Sequence, residues 1–183
     1  MRIIAGEARG RRLFAPGGVD TRPTADRVRE SLFNVIAPRV PGARVLDLFA
    51  GSGALAFEAL SRGASFAVIN DPARGAAAAI ARNARLLGYE DRIAHMRRDW
   101  KSALAALNDR FDLVFFDPPY RMAQVYGEAA QLMRERGLLA PGALIVMEHA
   151  ARDVLRLPDG FCVVDERRYG DVAVALVAEE GSA

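Results

Sequence analysis

From Pro41-Gly42 onward, short apolar runs alternate with amphipathic stretches, and this alternation limits the chain to very few folds. Strands are expected at 44–49, 66–69, 93–96, 113–116, 143–148, 161–165 and 172–177. Helices are expected at 54–61, 73–87, 102–107 and 125–136, with Gly63, Gly88 and Gly137 where C-terminal caps would fall. Five strands, each followed by a crossover, imply a parallel sheet covered on both faces. The last two have no helix between them and should pair antiparallel through Arg168-Tyr169-Gly170. The expected fold class is α/β, a doubly wound, seven-stranded, mostly parallel sheet of Rossmann-like type, its last strand antiparallel. A chain of 183 residues, 51% hydrophobic and 26% charged, fits one such domain without disulfides and is not disordered.

Ahead of this domain, residues 1–40 read as an appendage. Arg2 to Leu13 is an extended arm or strand pair closed by Pro16-Gly17-Gly18, and Thr24 is placed to cap a helix that ends before Pro38. The expected division is 1–40, a basic arm and helix, and 41–183, the domain built on the sheet. The net charge of +2 hides an asymmetry, because residues 1–44 hold nine arginines against four acids. Arginine's planar fork suits phosphate, so Arg9, Arg11, Arg12, Arg22, Arg27 and Arg29 are candidate contacts to the phosphates of a nucleic acid. The start has no apolar signal core and no run is long enough to span a bilayer, so a cytoplasmic protein without membrane association is expected. Cys162 is the single cysteine, and with His95 and His149 would exhaust the nitrogen and sulfur ligands, so no metal is expected.

Ligands of such sheets bind outside the carboxyl ends of the strands. The first of these is Asp47-Leu48-Phe49-Ala50-Gly51-Ser52-Gly53. Its glycines let backbone approach a ligand, although a glycine turn into a packed helix also arises for structural reasons. Asp47 decides between these readings: it would repel a pyrophosphate but suits a cation, and S-adenosyl-L-methionine carries both a sulfonium and an ammonium. The fourth strand ends in Asp117-Pro118-Pro119-Tyr120. Two prolines donate no N–H, so the Pro118 carbonyl and the Asp117 carboxylate form an acceptor pair for an exocyclic amine, with Tyr120 to stack on its base. A base inside a duplex cannot reach such a site and must be flipped or unpaired.

These two motifs resemble those of class I, S-adenosylmethionine-dependent amino-methyltransferases. Arg2-Ile3-Ile4-Ala5-Gly6, Arg9-Gly10-Arg11, the run from Arg22 to Asn34, Ala54-Leu55, the run from Glu58 to Gly63 and a looser echo at Tyr169-Gly170-Asp171 are similar to the bacterial RsmD family. The resemblance implies methyl transfer to the N2 amine of one guanine in 16S ribosomal RNA, within an assembled or assembling small subunit, by a monomer. It assigns Asp117, Pro118, Pro119 and Tyr120 to catalysis. It assigns Asp47, Phe49, Ala50, Gly51, Ser52, Gly53, Asn70, Asp71, Asp99, Trp100 and Asp117 to the cofactor, Asp99 meeting its adenine amine. One position departs: where the family ends its second strand with a ribose-binding glutamate, this chain reads Ile69-Asn70-Asp71-Pro72. The glutamate's place falls on Ile69, or on Asn70 with a gap. Asp71 then either reaches the ribose or caps the following helix, and the cap is the preferred reading. The alternatives are an adenine-N6 or other amino-methyltransferase of the same fold, and a non-catalytic RNA-binding or ribosome-assembly protein on a methyltransferase scaffold.

Overall fold

The computed structural model describes residues 1–18, 23–118 and 125–181. Its seven strands are β1 (Arg44–Asp47), β2 (Phe66–Asn70), β3 (Ile93–Met96), β4 (Phe111–Phe116), β5 (Leu139–Ala150), β6 (Phe161–Tyr169) and β7 (Val172–Glu179). They form one sheet in the order β3-β2-β1-β4-β5-β7-β6. β1 to β5 run parallel, and β7 is antiparallel to both β5 and β6. The strand order reverses between β1 and β4, which opens a crevice at their carboxyl ends.

The parallel strands are apolar on both faces because helices cover both. Alternation along each strand sends Val45, Leu113 and Phe115 to one core and Leu46, Val114 and Phe116 to the other. The first core also takes α1 (Pro23–Val35), α2 (Ala54–Ser61) and α3 (Arg74–Leu87), and the second takes α4 (Trp100–Ala106) and α5 (Val125–Glu135). No helix among the described residues is long and apolar enough to cross a membrane.

Several expected boundaries move. β1 stops at Asp47, two residues early, because Ala50 N–H crosses to the Asn70 carbonyl and draws the chain off the β1/β4 ladder. β5 begins at Leu139, passing through Pro141-Gly142 with a register shift against β4. β6 runs on to Tyr169 as an edge strand whose polar residues face solvent. Thr24 does not precede α1 as a cap, since that helix starts at Pro23.

The N-terminal arm is part of the first core. Ile3, Ala8 and Leu13 are buried in it together with Val28, Leu32 and Phe33 of α1. Its polar anchor is Glu58 of α2, fully buried, whose carboxylate accepts N–H groups from Ile4 (2.7 Å) and Ala5 (3.0 Å) and Nε–H of Arg62 (2.7 Å). Ser61 repeats the pattern one turn on, accepting Ala8 N–H and donating to the Ala5 carbonyl. Between them Gly6 has φ +84° and lies so close to α2 that a Cβ would fall 1.8 Å from the Ser61 carbonyl oxygen, so no other residue fits. Asn83 of α3 closes the far end of the arm, exchanging hydrogen bonds with both backbone groups of Phe14 and donating to the Ser52 carbonyl.

Removing the Glu58 carboxylate strands two N–H groups and leaves two guanidinium groups without their buried acid. Glu58→Ala is therefore expected to cost about 3 to 5 kcal/mol of unfolding free energy, read as a lowered denaturation midpoint, whereas Glu90→Ala on the surface should change it by less than about 0.5 kcal/mol.

Candidate active site

A cavity of about 1150 Å³ lies between the arm and α1 on one side and the carboxyl edge of the sheet on the other. Its floor is the loop from β1 into α2, and Asp47, Phe49, Ala50, Gly51 and Ser52 all line it. Gly51 (φ +54°) and Gly53 (φ +78°) turn the chain into α2, and a side chain at Gly51 would project into open space. Gly53 is held differently: a Cβ there would meet the Phe57 ring at 2.7 Å, so it serves the packing of loop on helix.

Asp47 is almost completely buried, and its one hydrogen bond among the described residues is a long one from Ala56 N–H (3.3 Å). Burial outweighs that bond and, with the charge of Asp71 adding to it, pushes the Asp47 carboxyl up to about 7. Asp117 follows the last residue of β4, two steps beyond the residue paired with Asp47. It lines the cavity and is exposed there, while its carboxyl lies deep among protein atoms. Burial, then the charge of Glu148, then that of Asp47 hold its carboxyl well above the usual range. Glu148 of β5 also lines the cavity, and burial raises its carboxyl too. Asp47, Asp117 and Glu148 thus stand at the carboxyl ends of three neighbouring strands and face one space. Pro118 is buried directly behind Asp117, while Pro119 and Tyr120 lie outside the described residues.

The second strand resolves the question its sequence raised. Ile69 is fully buried in the first core. Asn70 is fully buried as well, with its amide donating to the Leu48 and Arg98 carbonyls and accepting Arg98 N–H, so its polar atoms are committed to joining three strand ends. This corrects its assignment as a cofactor ligand. Asp71 accepts Ala73 N–H (2.9 Å) through one oxygen and Gly51 N–H (2.8 Å) through the other, which closes a tight turn ahead of α3 and braces the glycine loop; Ala73 itself stands at the N-cap of α3 with no side-chain cap, so the expected capping by Asp71 is corrected. Of the three positions, Asp71 is the one that carries a carboxylate, held against the cavity-lining Gly51 though not itself part of the lining.

Two further residues assigned to the cofactor lie apart from the cavity lining. Asp99 is exposed and caps α4, accepting Ser102 N–H (3.0 Å), and hydrogen bonds from Ser102 lower its pKa. Trp100, first residue of that helix, is buried in the second core beneath Lys101. Neither lines the cavity.

Among the arginines, Arg9, Arg12 and Arg27 are exposed. Arg11 is exposed too, with one guanidinium nitrogen donating to the Leu86 carbonyl. Arg22 lies outside the described residues. Arg29 is a correction: it is buried in the cavity wall and bonds the Arg2 carbonyl and Asp26, with Glu58 at 3.9 Å, so it binds the arm and not an outside phosphate. Sequence reasoning passed over Glu148, although its signal was there: like Asp47, it is an acid at the end of an otherwise apolar strand. The β6-β7 turn, present in the sequence only as the looser family echo Tyr169-Gly170-Asp171, belongs to the site: Tyr169 and Asp171 line the cavity, and the Tyr169 hydroxyl meets Ser31 of α1 at 2.6 Å.

Comparison with known proteins agrees with this geometry. Residues 1–178 match the family model described as Conserved hypothetical protein 95. The ribosomal RNA small subunit methyltransferase D of Escherichia coli K12 is 38% identical over 182 residues, covering 98% of this chain and 90% of its own. Its namesake in Haemophilus influenzae is 35% identical over 181 residues, covering 96% and 92%. The solved structure of yhhF from Escherichia coli superposes with a TM-score of 0.86 at 38% identity, covering 98% of both chains. A family model spanning nearly every residue, joined to relatives this similar along their whole length, establishes that the chain belongs to the family described as Conserved hypothetical protein 95, the RsmD family.

Proposed function

We propose that this protein transfers the methyl group of S-adenosyl-L-methionine to the exocyclic N2 of a guanine in 16S ribosomal RNA of the small ribosomal subunit. The observation that carries the reading is the set of acceptors at the switch crevice: Asp47 from β1, Asp117 from β4 and Glu148 from β5 all face one cavity. Such a site favours a cationic ligand together with an amine-bearing one. The relatives named as small-subunit rRNA methyltransferases support the same reaction and the same class of RNA.

The residues fit the cofactor. Asp47 is a buried acid lacking a counter-cation among the described residues, and Gly51 leaves open space above the loop. Asp71, already fixed against Gly51 N–H, is the acid in position for ribose hydroxyls. When bound, S-adenosylmethionine supplies a methyl on a cationic sulfur, so that the amine lone pair takes the methyl carbon while the carbon–sulfur pair stays on sulfur.

The protein's own groups prepare the nucleophile. A guanine N2 is weakly nucleophilic because its lone pair is delocalised into the ring. The Asp117 carboxylate and the Pro118 carbonyl accept the two N2 hydrogens and turn the lone pair toward the methyl, and proximity and alignment supply much of the rate. Asp117, whose pKa is raised, receives the proton that N2 releases. Arg9, Arg11, Arg12 and Arg27 on the arm and α1 hold phosphates of the RNA from which the base is turned out.

Two outcomes test this. Asp117→Ala should lower single-turnover methyl transfer to unmethylated small subunits by about 100-fold or more while leaving cofactor affinity, measured by calorimetry, within about twofold; transfer near the wild-type rate would contradict the mechanism. Cofactor binding should also depend on pH through Asp47. With a free-protein pKa of about 7 and a cationic ligand that requires the ionised form, affinity is full above that value and falls as pH drops through it, by up to about tenfold per unit. Asp47→Asn should bind more weakly at pH 8 and flatten that dependence between pH 5 and 8, roughly the range over which wild type is followed.

A further inference from the structure

The mechanism above uses Asp117 and Asp47 and leaves Glu148 without a task. Its position is set by three constraints. Met147 pairs with Phe116 in the parallel β4/β5 ladder, so Glu148 flanks Asp117 one step further along. On the other side Glu148 pairs with Val174 of β7, and its carbonyl accepts the Tyr126 hydroxyl at 2.5 Å, which leaves its backbone no freedom to swing. Its side chain lines the cavity, and among the described residues neither it nor Asp117 has a hydrogen bond or ion pair to its carboxylate.

Two adjacent carboxyl groups without protein donors require a ligand that presents two adjacent donors. Bases that carry an exocyclic amine differ on this point. Guanine places its N1–H directly beside its N2 amine, so its edge reads donor next to donor. Adenine places an unprotonated N1 beside its N6 amine, and cytosine an unprotonated N3 beside its N4 amine. A carboxylate set beside the one that receives the amine therefore gains a hydrogen bond from guanine, but opposes a lone pair on adenine or cytosine. A site built to bond a substrate N–H rejects an analogue without it far more strongly than a shape filter does.

We infer that Glu148 is the specificity-determining residue of this site, its carboxylate accepting N1–H of the target guanine while Asp117 accepts the neighbouring N2 amine. This rests on the guanine-N2 reading and deepens it, because the Asp-Pro turn alone would accept any exocyclic amine. Burial raising both carboxyls is consistent with a pair that is fully ionised only against donors.

The test uses the full-length protein, small subunits lacking the modification, and the base analogue 2-aminopurine. This analogue keeps the C2 amine but has an unprotonated N1. The nucleotide that receives the methyl is first mapped with wild-type protein, and N2-methylguanosine as the product is the separate check on the guanine reading. Subunits are then reconstituted with guanine or 2-aminopurine at that position, and kcat/KM is measured on each. Wild type should prefer guanine by roughly 100-fold or more. Glu148→Gln, whose amide can offer an N–H to an unprotonated N1, should reduce that preference to below about tenfold with cofactor affinity unchanged. Glu148→Asp, still a carboxylate, should act more slowly but keep the preference. The inference is overturned if Glu148→Gln discriminates as wild type does, or if its effect falls on cofactor affinity instead. It is equally overturned if wild type uses both bases at similar rates, a result that needs no variant to fold.

Discussion

The carboxylate of Glu58, enclosed within the protein, accepts backbone N–H groups from Ile4 and Ala5 and side-chain donation from Arg62, with Arg29 close by. An ionised group at that depth is tolerated only when it is well supplied with donors, and the arm provides two of its three hydrogen bonds. The dependence runs both ways, because the arm's first residues have no sheet to join beyond a single bridge between Arg2 and Arg12. The cavity follows from this joint. Met1 and Pro16 of the arm and Leu32 of α1 form one wall of it, so the space over the glycine loop has its shape only while the arm is docked.

The second organising constraint is topological. Reversal of strand order between β1 and β4 separates their connecting loops, and acids at the ends of β1, β4 and β5 converge on the resulting crevice. Burial of three acids in so confined a space disfavours their ionised forms, as the raised pKa values of Asp47, Asp117 and Glu148 record, and at Asp117 the charges of Glu148 and Asp47 add to it. That energy is available to any ligand that brings a cation or a row of N–H donors. Around this acidic pocket the outer surface of the arm is basic, with Arg9, Arg11 and Arg12 exposed. A polyanion can be held there while one of its bases enters a site that would repel its phosphates.

Much of this was legible in the sequence where a single physical rule decides local structure. The glycine loop, the apolar strands and α2 and α3 follow from periodicity and turn chemistry, and apart from the early start of β5 and the long second half of β6 their boundaries shift by a residue or two. Where a tertiary partner decides, the text misled. Asn70 reads as a weakened ribose ligand, but three backbone groups around it consume its amide. Arg29 reads as one more basic residue of the arm, but Asp26 and Glu58 draw it inward. Glu58 enters the sequence only as part of a run similar to the family, with nothing that marks it as buried, since a glutamate in a short helix is ordinarily exposed and here the docked arm covers it. The polar stretch Glu166-Arg167-Arg168 hides the second half of β6, because an edge strand with one face in solvent needs few apolar residues.

The claim that this cavity methylates a guanine amine of small-subunit rRNA is tested most directly inside the cell. Small-subunit rRNA from cells lacking the protein, digested to nucleosides and analysed by mass spectrometry, should have lost one N2-methylguanosine relative to the parent, with the methyl restored when the wild-type protein is returned. An unchanged N2-methylguanosine content, or loss of a methyl from adenine or cytosine instead, would contradict the account.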